Sequence, residues 1–452
     1  MKISFFGATG TVTGSKYLIE HSGKKVLVDC GLFQGYKELR LRNWNALPFD
    51  PQDIDAVVLT HAHIDHSGYV PLLVKQGFKG KIYCSEATYE LCKILLPDSG
   101  YLQEEDARRA NKYGYTKHKL AEPLYTEKEA RISLAQFHTL DFGHPFYLDD
   151  DLHFTMSRAG HILGSAFIAL SDGNRTVTFS GDLGRQHDPV MQTPAQFQQT
   201  DYLLIESTYG DRLHSTKDPL EEIGEIIRST AAKGGTVVVP AFAVGRAQLM
   251  LYYIHELKKS GSIPDLPVFL DSPMAVSATK LLCKFKNEHQ LSEKTCHAVC
   301  DSVTYVQTVE DSKRLDTSRM PSVIISASGM ATGGRVLHHL KHFITDPKNT
   351  ILFTGYQAGG TRGDRIVKGE KETKIHGQFH PVRARIENLS TLSAHADYGE
   401  ILTWLRNFNK SPQKVFITHG EPRAALSLKE KIEKEFGWTV IVPDYLQSEE
   451  LL

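Results

Sequence analysis

The chain begins with short apolar runs broken by turns, the texture of a sheet. Ile3–Phe6, Ser15–Glu20 and Lys25–Asp29 read as strands separated by Gly7-Ala8-Thr9-Gly10 and His21-Ser22-Gly23. Ala56-Val57-Val58-Leu59 is a further buried strand, followed by helix spacing from Tyr69 to Lys75 and a strand over Gly80–Cys84. Glu86–Leu96 and Gln103–Lys112 are then helical by their spacing. Residues 131–182 return to strands, and Asp201–Glu206 is one more. The texture changes after residue 210. Helices over Glu221–Lys233, Arg246–Ser260, Ala275–Asn287 and Arg335–Phe343 alternate with strands over Thr236–Pro240, Val268–Leu270, Val323–Ser326 and Thr350–Thr354. That alternation predicts a parallel α/β domain. Sheet pattern resumes at Val382–Ile386, so the α/β domain reads as an insertion at 211–374 between two parts of a first domain, 1–210 and 375–452.

A length of 452 residues exceeds what one core usually serves, consistent with two domains. Hydrophobic content of 41% and charged content of 23% are those of a globular protein, and no stretch approaches a membrane span. The amino terminus lacks a signal peptide's apolar centre, and six scattered cysteines suit a reducing cytoplasm. Cys296-x3-Cys300, with His297 between, reads as a helical face, because the second half of a structural zinc site is missing. A net charge of −1 leaves no global attraction for nucleic acid, so any polyanion site must be local. The basic stretch Arg108, Arg109, Lys112, Lys117, His118 and Lys119 reads as a solvated surface loop, with contact to a phosphate backbone as the alternative.

Chemistry concentrates in Thr60-His61-Ala62-His63-Ile64-Asp65-His66, straight after a buried strand, where open sheets place ligands. One His-x-His is ordinarily a solvated loop. Four metal-capable side chains within six residues form a metal pattern of imidazole and carboxylate, donors that zinc accepts in hydrolytic sites. Asp29 ends a neighbouring strand and is placed to orient a histidine or a metal-bound water. His161 lies between glycines, Asp182 ends the strand Arg175–Ser180-Gly181, and Glu206 and His419 also stand at strand ends. His61, His63 and His161 would hold one metal and Asp65 and His66 another, with Asp182 between. Two zinc ions about 3.5–4 Å apart activate a hydroxide and clamp phosphorus or carbonyl.

These motifs, in this order, resemble the metallo-β-lactamase-fold nucleases with an inserted β-CASP domain. That group contains the cleavage-and-polyadenylation endonuclease subunit, ribonuclease J and small bacterial ribonucleases. The resemblance covers nearly the whole chain. It rests on Asp29, His61-x-His63-x-Asp65-His66, His161, Asp182, Glu206-Ser207-Thr208-Tyr209-Gly210, Ser393-Ala394-His395-Ala396-Asp397 and Thr418-His419-Gly420-Glu421. Within the insertion it adds Pro240–Gln248, Asp271–Met274 and Ser326–Met330. It implies an α/β fold, an αββα metallo-β-lactamase sandwich with an inserted parallel α/β β-CASP domain. It implies two zinc ions per chain, one on His61, His63, His161 and Asp182, the other on Asp65, His66, Asp182 and His419. Asp65 and Asp29 would also serve catalysis. A di-zinc-bridging hydroxide would attack single-stranded RNA in the cleft between the domains, with His395 as general acid and Glu206 as its partner. A departing 3′-alkoxide needs a proton, and an imidazolium beside a carboxylate suits that task.

Glycine-rich turns at Ser326-Ala327-Ser328-Gly329 and Gly333-Gly334-Arg335 have the form of anion nests. Segment 361–385 carries seven basic residues against Asp364, Glu370 and Glu372, a plausible backbone track. Ser393, Ser328, Gly329, Arg335 and Arg362 are the candidate phosphate contacts. Asp364 departs from the basic residue that relatives tend to carry in this loop. A DNA nuclease of the same family and a non-catalytic scaffold are the alternatives, and a small-ester hydrolase is disfavoured by the insertion. No KH-type module is read before the first strand. Endonuclease or 5′-exonuclease mode and a homodimer stay open, and no membrane partner is expected.

Overall fold

A computed structural model describes residues 1–114 and 120–452. Lys117, His118 and Lys119 of the basic stretch lie outside the described residues. The chain forms two compact units. The first comprises Met1–His187, Gln192–Leu213 and His395–Leu452, and the second Asp188–Met191 and His214–Ala394.

The first unit is built on two seven-stranded sheets. One runs in the order Ser448–Glu450, Lys2–Phe5, Tyr17–His21, Lys24–Val28, Ala56–Val58, Lys81–Cys84, Phe137–Thr139. The other runs Val440–Ile441, Lys414–Thr418, Tyr202–Glu206, Thr176–Phe179, Ala166–Ser171, His153–Arg158, Pro145–Tyr147. Side chains two apart along each strand point to one face. Ile3, Phe5, Tyr17, Ile19, Val26 and Val28 of the first sheet therefore meet Phe154, Met156, Ile168, Leu170, Val177 and Phe179 of the second in one core. The alternate residues Phe167, Leu203, Ile205, Val415 and Ile417 face the other way. They bury Trp404 and Leu405 of helix Tyr398–Leu405 and Leu428 and Ile432 of helix Pro422–Phe436.

Parallel pairing gathers strand carboxyl ends. Val28 stands beside Val58, Phe179 beside Leu204, and Glu206 beside Thr418. The residues that follow these pairs are Asp29, Leu59-Thr60-His61, Ser180-Gly181-Asp182 and His419. The fold thus brings distant chemistry to the ends of adjacent strands.

The two helices expected over 86–112 are one, Glu86–Tyr113, running through Pro97. A proline inside a helix loses one backbone bond and costs about 3 kcal/mol. Packing offsets this: Leu91, Leu95, Leu96 and Pro97 are buried, and Gly100 lies so close to Thr126 and Glu127 that a Cβ would come within 2.7 Å of their backbone. Arg108, Arg109 and Lys112 sit on this helix rather than in a loop.

The second unit centres on a six-stranded sheet ordered Thr304–Tyr305, Val268–Leu270, Val323–Ser326, Val237–Pro240, Thr350–Phe353, Arg385–Asn388, all parallel. The strand Arg385–Asn388 pairs with Thr350–Phe353. The chain therefore rejoins the first unit at His395 and not at 375, and leaves it after Leu213 rather than after 210. Apolar periodicity cannot tell which sheet a strand joins; the hydrogen-bonded register decides that. Helices Glu293–Asp301 and Val309–Thr317 add to the expected alternation. No helix among the described residues is long and apolar enough to cross a membrane.

Candidate metal centre

Asp182 is the hub of the first unit's polar core. Its Oδ2 lies 3.4 Å from His61 Nε2 and 3.3 Å from His161 Nε2, while its Oδ1 lies 3.2 Å from His66 Nε2 and 3.5 Å from His419 Nδ1. The two carboxylate oxygens thus face two different groups. His61, His63, His161 and Asp182 present donor atoms within 4.8 Å of one another, and so do Asp65, His66 and His419. Ring nitrogens point at ring nitrogens: His61 Nε2 to His63 Nδ1 at 3.1 Å, His161 Nε2 to His63 Nδ1 at 3.3 Å, His66 Nε2 to His419 Nε2 at 3.2 Å. Converging lone-pair carriers around a carboxylate are the donor chemistry of a metal-ion site.

The backbone is built around these side chains. Asp29 and His419 adopt left-handed φ values of 59° and 49°, conformations that cost non-glycine residues about 1–3 kcal/mol and persist where surroundings over-determine them. Here Asp29 N–H donates to Val58 O at 2.9 Å and His419 N–H to Ala8 O at 2.7 Å. Gly181, at φ 50°, lies against Thr60; a Cβ there would sit 2.7 Å from Thr60 Oγ1. That contact fixes Asp182 beside the histidine loop.

Partners behind the donors set ring orientation. Asp29 Oδ2 accepts hydrogen bonds from His66 Nδ1–H at 2.7 Å and from the Thr60 hydroxyl at 2.8 Å. Thr60 Oγ1 is also 3.1 Å from His61 Nδ1, and Thr208 Oγ1 is 3.1 Å from His419 Nδ1. Thr60 and Thr208 stand inside the motifs quoted above, but the sequence alone assigns neither a role, because a threonine hydroxyl carries no signal of which distant ring it meets.

Electrostatics follow from burial and the central carboxylate. Burial, then the neighbouring His66, pushes His61 down to about 3. Burial likewise lowers His63 to about 4 and holds His161 well below the usual imidazole value. Those rings are neutral, as metal ligands must be. Burial also works against a charge on His66, but Asp182 and Asp29 outweigh it and raise that ring well above its ordinary value. Burial would raise Asp182, yet His419 and then His66 hold it well below the usual carboxylate value. The core favours positive charge between Asp182 and the rings.

His395 enters from the segment after the second unit, pinned by Ala396 N–H to Leu183 O at 2.8 Å. Its Nδ1 is 3.0 Å from both Glu206 oxygens. Glu206 is buried and itself fixed, accepting Leu183 N–H at 2.7 Å and Thr208 N–H at 3.3 Å. Burial opposes protonation of His395, but Glu206 and then Asp182 raise it to about 9.

The candidate phosphate contacts lie in the second unit. Ser328 Oγ accepts Thr332 N–H at 3.0 Å, and Gly329 O accepts Gln357 Nε2 at 3.2 Å. Arg335 gives its guanidinium to Asp271 at 2.6 Å and to the carbonyls of Val306 and Gln307. Arg362 donates to Lys374 O at 3.0 Å and to Ala331 O. Both cations, expected to face a phosphate, are engaged by the unit's own acceptors. Ser393 is buried, its N–H bonded to Ser390 O at 3.0 Å. Asp364 has a local reason to be acidic: it stands in the first turn of helix Arg362–Val367 and accepts Gly360 N–H at 3.2 Å.

Two facing mixed sheets with a histidine–aspartate cluster at their strand ends define a metal-dependent hydrolase of the metallo-β-lactamase type. The sequence matches the metallo-beta-lactamase superfamily over residues 9–219, the Beta-Casp domain over 247–366, and the Zn-dependent metallo-hydrolase RNA specificity domain over 380–443. It is 36% identical to ribonuclease TTHA0252 of Thermus thermophilus, over 95% of each chain. It is 30% identical to transcription termination factor FttA of Methanocaldococcus jannaschii, over 99% of this chain and 71% of that one. A crystal structure of a protein of unknown function from Enterococcus faecalis V583 shares the fold, with TM-score 0.58 at 12% identity over 100% of this chain and 99% of that one. The chain belongs to the β-CASP family of metallo-β-lactamase-fold hydrolases.

Proposed function

We propose that this chain is a zinc-dependent ribonuclease that hydrolyses phosphodiester bonds of single-stranded RNA. The observation that carries the reading is the division of Asp182, one oxygen toward His61 and His161 and the other toward His66 and His419, beside a histidine already paired with a carboxylate. Two zinc ions held there, on His61, His63, His161 and Asp182 and on Asp65, His66, His419 and Asp182, would supply Lewis-acid activation of water and phosphodiester. The name of the bacterial relative and the match to an RNA specificity domain support RNA as the substrate.

The chain's own residues supply orientation and the proton. Asp29 and Thr60 hold the rings of His66 and His61 by their far nitrogens, leaving the near ones to bind. Glu206 holds His395 by Nδ1–H, so the protonated ring offers Nε2–H to the departing 3′-oxygen. That oxygen leaves as an alcohol and not as an alkoxide. His395 carries this proton below about 9 and loses it as pH rises through that value.

Glu206→Gln removes the strongest of the influences that raise His395. The alkaline limb of kcat/KM is expected to move to lower pH, toward the ordinary imidazole value of 6.5. A lower rate with an unmoved limb would mean that Glu206 acts only structurally.

Digestion of end-labelled RNA and DNA oligonucleotides of one sequence tests the substrate class. RNA is expected to be cut to 5′-phosphate and 3′-hydroxyl products with DNA left intact. Equal cleavage of DNA would transfer the reading to the family's DNA-directed branch, and cleavage of neither to a binding scaffold.

A further inference from the structure

The second unit contains a cluster of sulfur that RNA hydrolysis does not use. Helix Pro273–Lys284 carries Cys283 in its last turn, and helix Glu293–Asp301 carries Cys296 and Cys300 one turn apart on a single face. The second helix is started by Ser292, whose Oγ accepts Thr295 N–H at 3.1 Å, and tied back by Lys286 to Glu293 at 2.6 Å. Cys283 Sγ is 2.7 Å from Cys296 Sγ and 3.0 Å from Cys300 Sγ. All three donor atoms lie within 4.8 Å of one another.

Three sulfurs from two helices thus converge on one point, the donor arrangement of a thiolate-held cation. A disulfide would use two sulfurs and leave the third crowded against the pair. One cation uses all three. Cys296 is buried while Cys283 and Cys300 are half-buried, so the cradle has a floor and an open side.

We infer that Cys283, Cys296 and Cys300 form a separate three-thiolate site for a thiophilic d10 cation of the zinc and copper(I) class. Soft thiolate donors select such ions. On binding, each thiol gives up its proton to solvent and its sulfur donates an electron pair to the ion; nothing is oxidised. Neighbouring histidines do not complete the set. His289 Nε2 is bonded to Leu282 O at 2.9 Å, and His297 is 60% exposed beside Glu293. The fourth position therefore falls to solvent or an outside ligand, unlike a closed structural site of four protein donors.

Cobalt(II) added to the chelator-stripped full chain tests this, because the histidine–aspartate cluster has no sulfur among its donors. The wild-type protein is expected to develop a near-ultraviolet thiolate-to-cobalt charge-transfer band that saturates once all its metal positions are loaded and disappears in Cys283→Ser. Denatured without reductant, it should still show all six thiols free. Cobalt-loaded wild-type protein without the band would overturn the assignment, as would four free thiols, the count for a disulfide. Should Cys283→Ser fail to fold, the wild-type spectrum and thiol count decide alone.

Discussion

Asp182→Ala is expected to bind two fewer metal ions per chain than the parent protein and to lose RNA cleavage by about a thousandfold or more, beyond the loss of one stabilising group at a transition state. The reason is geometric. Each Asp182 oxygen lies 3.2–3.5 Å from a different pair of histidines, so one truncation removes a donor from both groups. It also removes the carboxylate that raises His66 and contributes to raising His395. Metal content by atomic emission and initial rates on labelled RNA check this together. Full metal content with intact turnover would exclude Asp182 as a shared ligand.

His395→Ala should separate from it cleanly. The expected result is a loss of about 10²–10⁴-fold in cleavage, the usual worth of a general acid, with metal content unchanged. Glu206 stays buried in this variant and keeps the Leu183 N–H bond but loses its charged partner. A stability loss of about 1–3 kcal/mol is the scale for that. Single-turnover cleavage measured beside metal content decides between roles. Loss of metal would make His395 a ligand, and an undiminished rate would remove it from the proton path.

Where a local pattern sets local structure, the sequence was readable. Val268–Leu270 and Val323–Ser326 have the strand limits their apolar runs predict. Continuous motifs were equally plain: His61 and His63 gather with Asp182, and Asp65 and His66 with His419. Long-range choices were not readable. Pro97 announces a helix end that tertiary packing overrides, and Arg385–Asn388 carries no mark of the sheet it joins.

Partnerships between distant residues were hidden for the same reason. Arg335 counts as positive charge in a sequence, but Asp271, 64 residues away, absorbs it. Cys296 and Cys300 lacked the other half of a site until helix packing brought Cys283 to them. Thr60 is ordinary in sequence and becomes specific only through its hydrogen bonds to Asp29 and His61.

In the proposed centre one carboxylate, Asp182, divides two metal positions. Anomalous scattering at the zinc absorption edge, from crystals of the zinc-loaded chain, tests it most directly. Two maxima flanking Asp182 are expected, one among His61, His63 and His161 and one among Asp65, His66 and His419. A single maximum at the cluster, or none touching Asp182, would contradict it.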